Sequence, residues 1–440
     1  MEKALEECNT DNFKIDLSQI CGETYNIENY GGVGDGKTSN TEVFARAIAA
    51  ASEAGGGIVE VPAGIWLTGP IELKSNIELH ICSGAIVIFD KNPEEYPVVQ
   101  VDYEGQITKR CVSPIHAEYA QNIAITGKGI LDGNGQLWRP VKRWKVTERE
   151  WQELKQQSSY VTEAKDGEIW MPSEDCDNGS YDTYRPVMVR LERCHMVLIE
   201  GVTFQNSPAW NIHTLFCSHL TVRNTVIRNP YYAQNGDGLD VESCRKVHIH
   251  DVQLDVGDDA ICLKSGKGAE ARKTIGATED VYIHDCSVYH GHGGFVVGSE
   301  MSRGVKNVTV ENCIFAGTDV GIRFKSALGR GGIVENIVLD RIQMLNIKKE
   351  AILFDMGYIQ GYEDSPGELM DFQEEDIPEF RNIYMRSIRC KNAEMAIRMN
   401  GLKQKPLHDI WIEDSWFQTK NKMEAVWTKE IHVNSVTYIS

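Results

Sequence analysis

From Val197 to the C-terminus the chain repeats one short pattern: apolar, any, apolar, any, then Asn, Asp or a similar residue, with another apolar position shortly after. Val197-Leu198-Ile199-Glu200 opens the series, and Leu220 to Asn224, Val247 to Asp251, Val281 to Asp285, Val308 to Asn312, Ile337 to Asp340, Ile383 to Met385, Ile410 to Asp414 and Ile431 to Asn434 continue it. The interval is mostly roughly 21 to 34 residues, the period of a solenoid. Alternation at every second residue makes each unit a half-buried strand that cannot cover its inner face alone, so the units must stack. The unit is too short for a strand plus a crossover helix, and no helical periodicity lies between units. This predicts an all-β fold, a right-handed parallel β-helix with three short strands per coil. Asn and Asp suit its corners, where the left-handed backbone is tolerated. A β-sandwich of similar spacing would need two-residue turn signals between its strands, which the chain does not supply.

The N-terminal part departs from the repeat. Ser39-Asn40-Thr41-Glu42 reads as a capping box, and Val43, Phe44, Ala47, Ile48 and Ala51 form the apolar stripe of one helix ending at Gly55-Gly56-Gly57. Such a helix can plug the open end of the solenoid. Extended segments are expected at Gly57–Val61, Ile77–Ile81 and Ile123–Ile125. The organisation that follows is an N-terminal extension over 1–22 and a single β-helix over 23–440, with loop insertions at about 139–184 and 358–380. The first insertion carries Trp144, Trp151, Tyr160 and Trp170 and a short helix near Glu148–Gln156; its aromatics suit either a wall of a sugar-binding groove or ordinary packing.

Composition narrows the possibilities. The chain has 440 residues and is 42% hydrophobic, enough for a large core. Its formal net charge of −19 excludes a nucleic-acid partner, which needs Lys and Arg in excess. No apolar run is long enough to span a membrane. The start, Met1 to Cys8, lacks a basic region followed by an apolar stretch, so the sequence as it stands is expected to stay unexported, with a periplasmic or extracellular address if a leader has been removed. The 12 Cys are scattered through strand-like segments (Cys194, Cys217, Cys244, Cys262, Cys286, Cys313 and Cys390 among them) and read as buried thiols, not metal ligands. No cofactor and no metal are expected, and the protein is expected to be a monomer.

Four motifs occupy successive repeats: Asn235-Gly236-Asp237-Gly238-Leu239-Asp240, Gly257-Asp258-Asp259-Ala260, His290-Gly291-His292-Gly293-Gly294 and Gly321-Ile322-Arg323-Phe324-Lys325. Each alone is an ordinary turn, corner or exposed strand; together, one coil apart at about 4.8 Å, they make one surface. Hydrolysis of a glycosidic bond with inversion needs a protonated carboxyl and a water-activating carboxylate about 6.5 to 9.5 Å apart, a span that a one- or two-coil offset supplies. Crowding of Asp237, Asp258 and Asp259 is expected to keep one acid protonated. Arg323 and Lys325 fall on one strand face and can pair with a carboxylate on the substrate. Asn235 and Lys264 are added as substrate-binding candidates.

These motifs resemble those of glycoside hydrolase family 28, the polygalacturonases, whose order is Asn-Thr-Asp, Gly-Asp-Asp, Gly-His-Gly and Arg-x-Lys. Here they stand as Asn235-Gly236-Asp237, Gly257-Asp258-Asp259, Gly291-His292-Gly293 and Arg323-Phe324-Lys325, with Gly236 where Thr is usual. The resemblance runs from about Glu23 to the C-terminus. It implies hydrolysis of galacturonosyl linkages in pectic polysaccharide or oligogalacturonides, with Asp258 as general acid, Asp237 and Asp259 activating water, His292 orienting the acid's surroundings, and Arg323 with Lys325 on the galacturonate carboxylate. The cationic pair favours galacturonan over rhamnogalacturonan, and the two insertions, if they close one end of the groove, favour exo action. The competing readings are a rhamnogalacturonan hydrolase, a calcium-dependent pectate lyase, which needs an arginine base, and a noncatalytic glycan-binding β-helix.

Overall fold

The computed structural model describes Cys8, Thr10 and residues 13–90, 92–172, 185–274, 276–358 and 372–439. The alternating pattern winds into a parallel β-helix of three faces. The first is a sheet of thirteen parallel strands running from Thr24–Asn26 to Thr428–Asn434. The second, the site face, stacks Val189–Glu192, Ile212–Leu215, Leu239–Glu242, Ile261–Lys264, Gly293–Val297, Val320–Lys325 and Glu350–Asp355 in parallel. The third runs from Asp35–Ser39 to Thr437–Ile439. Inward residues of all three faces merge into one core from Ile27 to Phe417, with Phe324 stacked on Phe354 at 4.6 Å.

The corners carry the expected residues. Asn224, Asp251, Asp285, Asn312 and Asp414 hold φ between 48° and 54°. A second left-handed column is bonded in two stretches, on either side of Met196, His219 and Lys246: Asn122 donates to Asn76 (3.0 Å), and Asn307 to Asp280 (3.1 Å), Asn336 to Asn307 (3.1 Å) and Asn382 to Asn336. Each amide thereby donates to the side-chain oxygen of the rung before it, so that the corner residues are held to one another. The seven cysteines named from the sequence are all buried and free.

The helix Thr41–Glu53 buries Val43, Phe44, Ala47, Ile48 and Ala51 on the first coils. Its start is not the expected capping box. Asn40 is the flanking residue, and its fully buried amide ties three strand-end segments together, accepting from Val33 N and donating to the carbonyls of Val33, Thr38 and Leu67. The side chain is claimed by tertiary contacts and has nothing left for the helix.

Two additions shape the site face. The hairpin Val98–Tyr103/Gln106–Cys111, which the sequence pattern did not single out, packs Val101 and Tyr103 on Val187 and Trp210. The described part of the first insertion is a small layer of its own: strands Val141–Lys142, Val161–Ala164 and Gly167–Trp170 with the helix Glu148–Gln157, capped by Thr147 and Glu150. Trp151 and Trp170 are its core, while Trp144 and Tyr160 remain exposed. The rest of that insertion, 173–184, and 359–371 of the second lie outside the described residues.

The N-terminal residues cross the thirteen-stranded face. Ser18 donates to Asn122 (3.0 Å), Asp16 N donates to His219 (3.0 Å), Phe13 meets His248 and Tyr282 edge-on (5.6 Å each), and Cys8 Sγ donates to Asn336 O (2.9 Å).

Candidate active site

The strand register brings the four motifs together. Asp237 and Asp259 occupy equivalent positions just before Leu239–Glu242 and Ile261–Lys264, where Leu239 pairs with Ile261. Asp258 precedes Asp259 in the same turn, and His292 stands one coil further on, joined to it by His292 N donating to Asp258 O (2.9 Å). On Val320–Lys325, Arg323 and Lys325 face outward and Phe324 is buried in the core, as alternation requires. One oxygen of each of Asp237, Asp258 and Asp259 lies within 4.8 Å of the others. The expected wide separation is therefore not observed: the acids sit side by side across adjacent rungs, because each belongs to the turn that enters its strand.

Burial divides them. Asp237 and Asp259 are 3% and 1% exposed, whereas the side chain of Asp258 is 20% exposed beside His292 at 34%. Burial, reinforced by Asp240 and Asp258, pushes Asp237 well above the usual carboxylate range. Burial would raise Asp258 too, but the His292 hydrogen bond (2.9 Å) and the charges of His292, Lys325 and Lys264 outweigh it and hold Asp258 below its ordinary value. The proton that crowding retains thus falls on Asp237 in the free protein, not on Asp258. For His292 burial disfavours the charged form, yet Asp258 and Asp259 overcome it and raise its pKa. The Asp258–His292 pair shares one proton, carried at rest by the imidazole.

The cations are placed unequally. Lys325 Nζ donates to Asp259 Oδ2 (2.8 Å) and is buried; Arg323 Nη1 lies 3.7 Å from Asp259 Oδ1 and is the more accessible. Lys264 does not reach the groove as a substrate ligand would. It is 4% exposed, 3.2 Å from Asp240 and 3.8 Å from Glu300, with its ammonium 3.9 Å over Trp210. It compensates buried acids beneath the site, since burial and the Lys264 charge leave Asp240 pushed up to about 6 and Glu300, against its burial, lowered to about 2. Asn235 sits in a left-handed turn and accepts from Arg185 (3.1 Å). His290 is exposed and pairs with Asp255 (2.8 Å).

Sequence reasoning gave no role to several neighbours. Tyr358 lies over Arg323 (5.2 Å) and Lys325 (5.0 Å), and Lys145, from the first insertion, reaches 3.5 Å from His292 Nε2. Asp240 was legible as an outward position between Leu239 and Val241. Lys145 and Tyr358 come from segments without the repeat, so no register placed them.

The outward column through Arg323 shows which way the groove opens. His213, Asp240, Cys262 and Val296 are fully buried, the Arg323 side chain is 16% exposed, and Leu353 (8%), Arg398 (37%) and Glu424 (60%) follow it, while before His213 the Arg190 side chain is 14% exposed. The buried end lies under the Val98–Cys111 hairpin, where Arg110 covers Tyr103 (3.6 Å) and donates to Arg185 O (2.8 Å). Two buried oxygens, Asp237 Oδ1 and Asp259 Oδ1, have no hydrogen-bond partner among the described residues. A buried acceptor without a donor is unfavourable, so these atoms suit a bound donor such as water.

The glycosyl hydrolases family 28 model matches residues 160–435. A probable polygalacturonase of Vitis vinifera is 26% identical over 91% of this chain and 76% of its own length. An exo-poly-alpha-D-galacturonosidase of Dickeya chrysanthemi is 30% identical over 88% of this chain and 65% of its own. Among solved structures, an exopolygalacturonase from Thermotoga maritima is 31% identical, with a TM-score of 0.83 over 100% of this chain and 96% of that one. The right-handed parallel β-helix expected from the repeat is the fold shared with it.

Proposed function

Because the chain belongs to glycosyl hydrolases family 28, we propose that its aspartate cluster removes terminal galacturonate residues from α-1,4-linked galacturonan, with inversion at the anomeric carbon. The observation that carries the reading is the convergence of Asp237, Asp258 and Asp259 within 4.8 Å beside Arg323. Galacturonan hydrolysis is the activity named for the relatives described above, and position and charge support each role below.

Arg323, the accessible cation, pairs with the uronate carboxylate, and Lys325 anchors Asp259 beneath it. Asp258, the exposed acid, protonates the glycosidic oxygen. Its proton comes from His292, and the negative charge of an arriving uronate raises the proton affinity of Asp258 at that moment. Water bound between Asp237 and Asp259 attacks the anomeric carbon. Asp259 takes its proton, and Asp237, protonated by burial, orients it. Direct attack by either carboxylate, as a retaining mechanism needs, would require a nearly inaccessible oxygen to reach a sugar carbon; a water reaches it far more easily.

Exo action is supported by the hairpin, which covers the column near Trp210 and His213, and by the opening toward Glu424, so that a chain enters from one side and its end stops at the wall. The cluster has a cation for each ionised acid in Lys264, Lys325, Arg323 and His292, which leaves little attraction for a divalent ion. A chelator should therefore leave turnover unchanged.

Trigalacturonate tests the reading. The expected products are monomer and dimer, with the first-formed sugar anomer by proton NMR opposite to the substrate linkage. Internal cuts in long chains would reject the exo reading, a retained anomer would reject the water, and an unsaturated product absorbing in the ultraviolet, lost to a chelator and restored by calcium, would identify a lyase.

A further inference from the structure

A chain of formal net charge −19 repels a polyanion, and two cations of its cleavage site, Lys264 and Lys325, are engaged by their own acids. Positive charge concentrates elsewhere. On the turns that leave the site face, two concavities of about 950 and 790 Å³ share a wall of Arg193, Phe216, Thr274 and Arg303. Seven basic side chains line them against the acids Asp102, Glu270 and Glu279.

Several of these cations are not held by carboxylates. Arg245 and Lys267 have no ion pair among the described residues, and Arg193 lies 3.6 Å from Glu192. Among the described residues Arg303 donates to Ala271 O (3.0 Å), Thr274 Oγ1 (2.9 Å) and Ser243 Oγ (3.3 Å) and to no carboxylate. Phe216, at φ 53°, sits against the guanidiniums of Arg193 (4.5 Å) and Arg303 (4.9 Å) and holds both at the shared wall. Burial and the nearby Arg193 lower the Arg303 pKa despite Glu242 and Asp102, so an anion brought there is favoured. The groove follows the strand ends, whereas the acids precede the strand starts, so the two surfaces lie on opposite margins of the same face.

We propose that this groove is a second, noncatalytic binding site for polyuronate, which grips a long galacturonan through its carboxylates and offsets the repulsion of the whole molecule. The proposal rests on galacturonan being the substrate. It predicts that long chains gain from the groove and short ones do not.

The test separates binding from cleavage. Retention of Asp258→Asn protein on immobilised polygalacturonate should fall about three- to tenfold when Arg193→Gln and Arg245→Gln are added, the range for two exposed charge contacts, and the deficit should vanish in molar salt. In the active protein the same pair should raise KM on polygalacturonate and leave kcat/KM on trigalacturonate unchanged, with the melting temperature as a check on folding. Lys267→Gln, on the other wall, should act in the same direction if the pair perturbs folding. Unchanged retention, equal losses on trigalacturonate, or tighter binding of single-stranded DNA than of polygalacturonate would overturn the second site. Failure of the wild type to cut trigalacturonate would instead overturn the reaction, and the retention assay reads independently of it.

Discussion

Replacing His292 by Gln should injure both catalysis and stability, in a pH window the structure defines. Gln keeps a donor near Asp258 but cannot hold or deliver the shared proton. In the folded protein His292 is raised from 6.5 and Asp258 is lowered from 3.8. The stability from a raised imidazole is complete below 6.5 and lost as pH climbs through its folded value; that from a depressed carboxyl is complete above 3.8 and lost as pH falls. Both are therefore present between these limits. Removing one partner of a fully buried pair costs about 3–5 kcal/mol. With side chains 34% and 20% exposed, solvent screening reduces this to about 1–2 kcal/mol. Urea midpoints of variant and wild type should differ most near about pH 5 and converge as the pH climbs through the raised value of His292. On trigalacturonate kcat should drop about 10²- to 10³-fold, the range of one general-acid relay, and the alkaline limb of the wild-type profile should disappear. A stability difference independent of pH, together with an unaltered pH profile, would refute a proton shared between His292 and Asp258.

Three further outcomes follow from the same geometry. Asp258→Asn should abolish turnover and leave the melting temperature within a few degrees of wild type; near-normal activity would displace Asp258 as the acid. Arg323→Ala should weaken galacturonate substrates by about 1.5–3 kcal/mol, the scale of a charge-assisted bond, while a neutral-sugar analogue loses less; equal losses would exclude a carboxylate clamp. Replacing the hairpin residues between Tyr103 and Gln106 and the strand tips beside them by a short Gly-rich link should let internal bonds into the groove, so product sizing would show oligomers as well as monomer. Monomer alone from the trimmed protein would place the wall elsewhere.

The fold was legible because the repeat is a physical necessity: units such as Val247 to Asp251 can bury their apolar side chains only by stacking, and the corner asparagines mark where each turns. The converging aspartates were legible for the same reason, since register turns motif order into proximity. What escaped was everything fixed by contacts without a period. The hairpin closes on Glu104-Gly105, a pair with a left-handed φ of 53° and 68° but without the Asn or Asp that advertises such a turn. The burial of Lys264 depends on Asp240, Glu300 and Trp210, from three different turns, so its charge looked available for a ligand. Proton placement within the cluster depends on depth, which motif spacing does not encode. Asp237 and Asp258 are chemically identical and differ only in surroundings: burial among acids for one, the His292 bond and nearby cations for the other.

The strap of N-terminal residues gives the order of assembly a direction. A solenoid whose coils touch only their neighbours can grow rung by rung as it is synthesised. Cys8 and Ser18, however, bond to carbonyl and amide groups at Asn336 and Asn122, so these residues, made before the rungs they bind, have no complete seat until a late rung exists. Once fastened, it links rungs far apart along the axis, and fraying from either end must then break contacts in the middle as well.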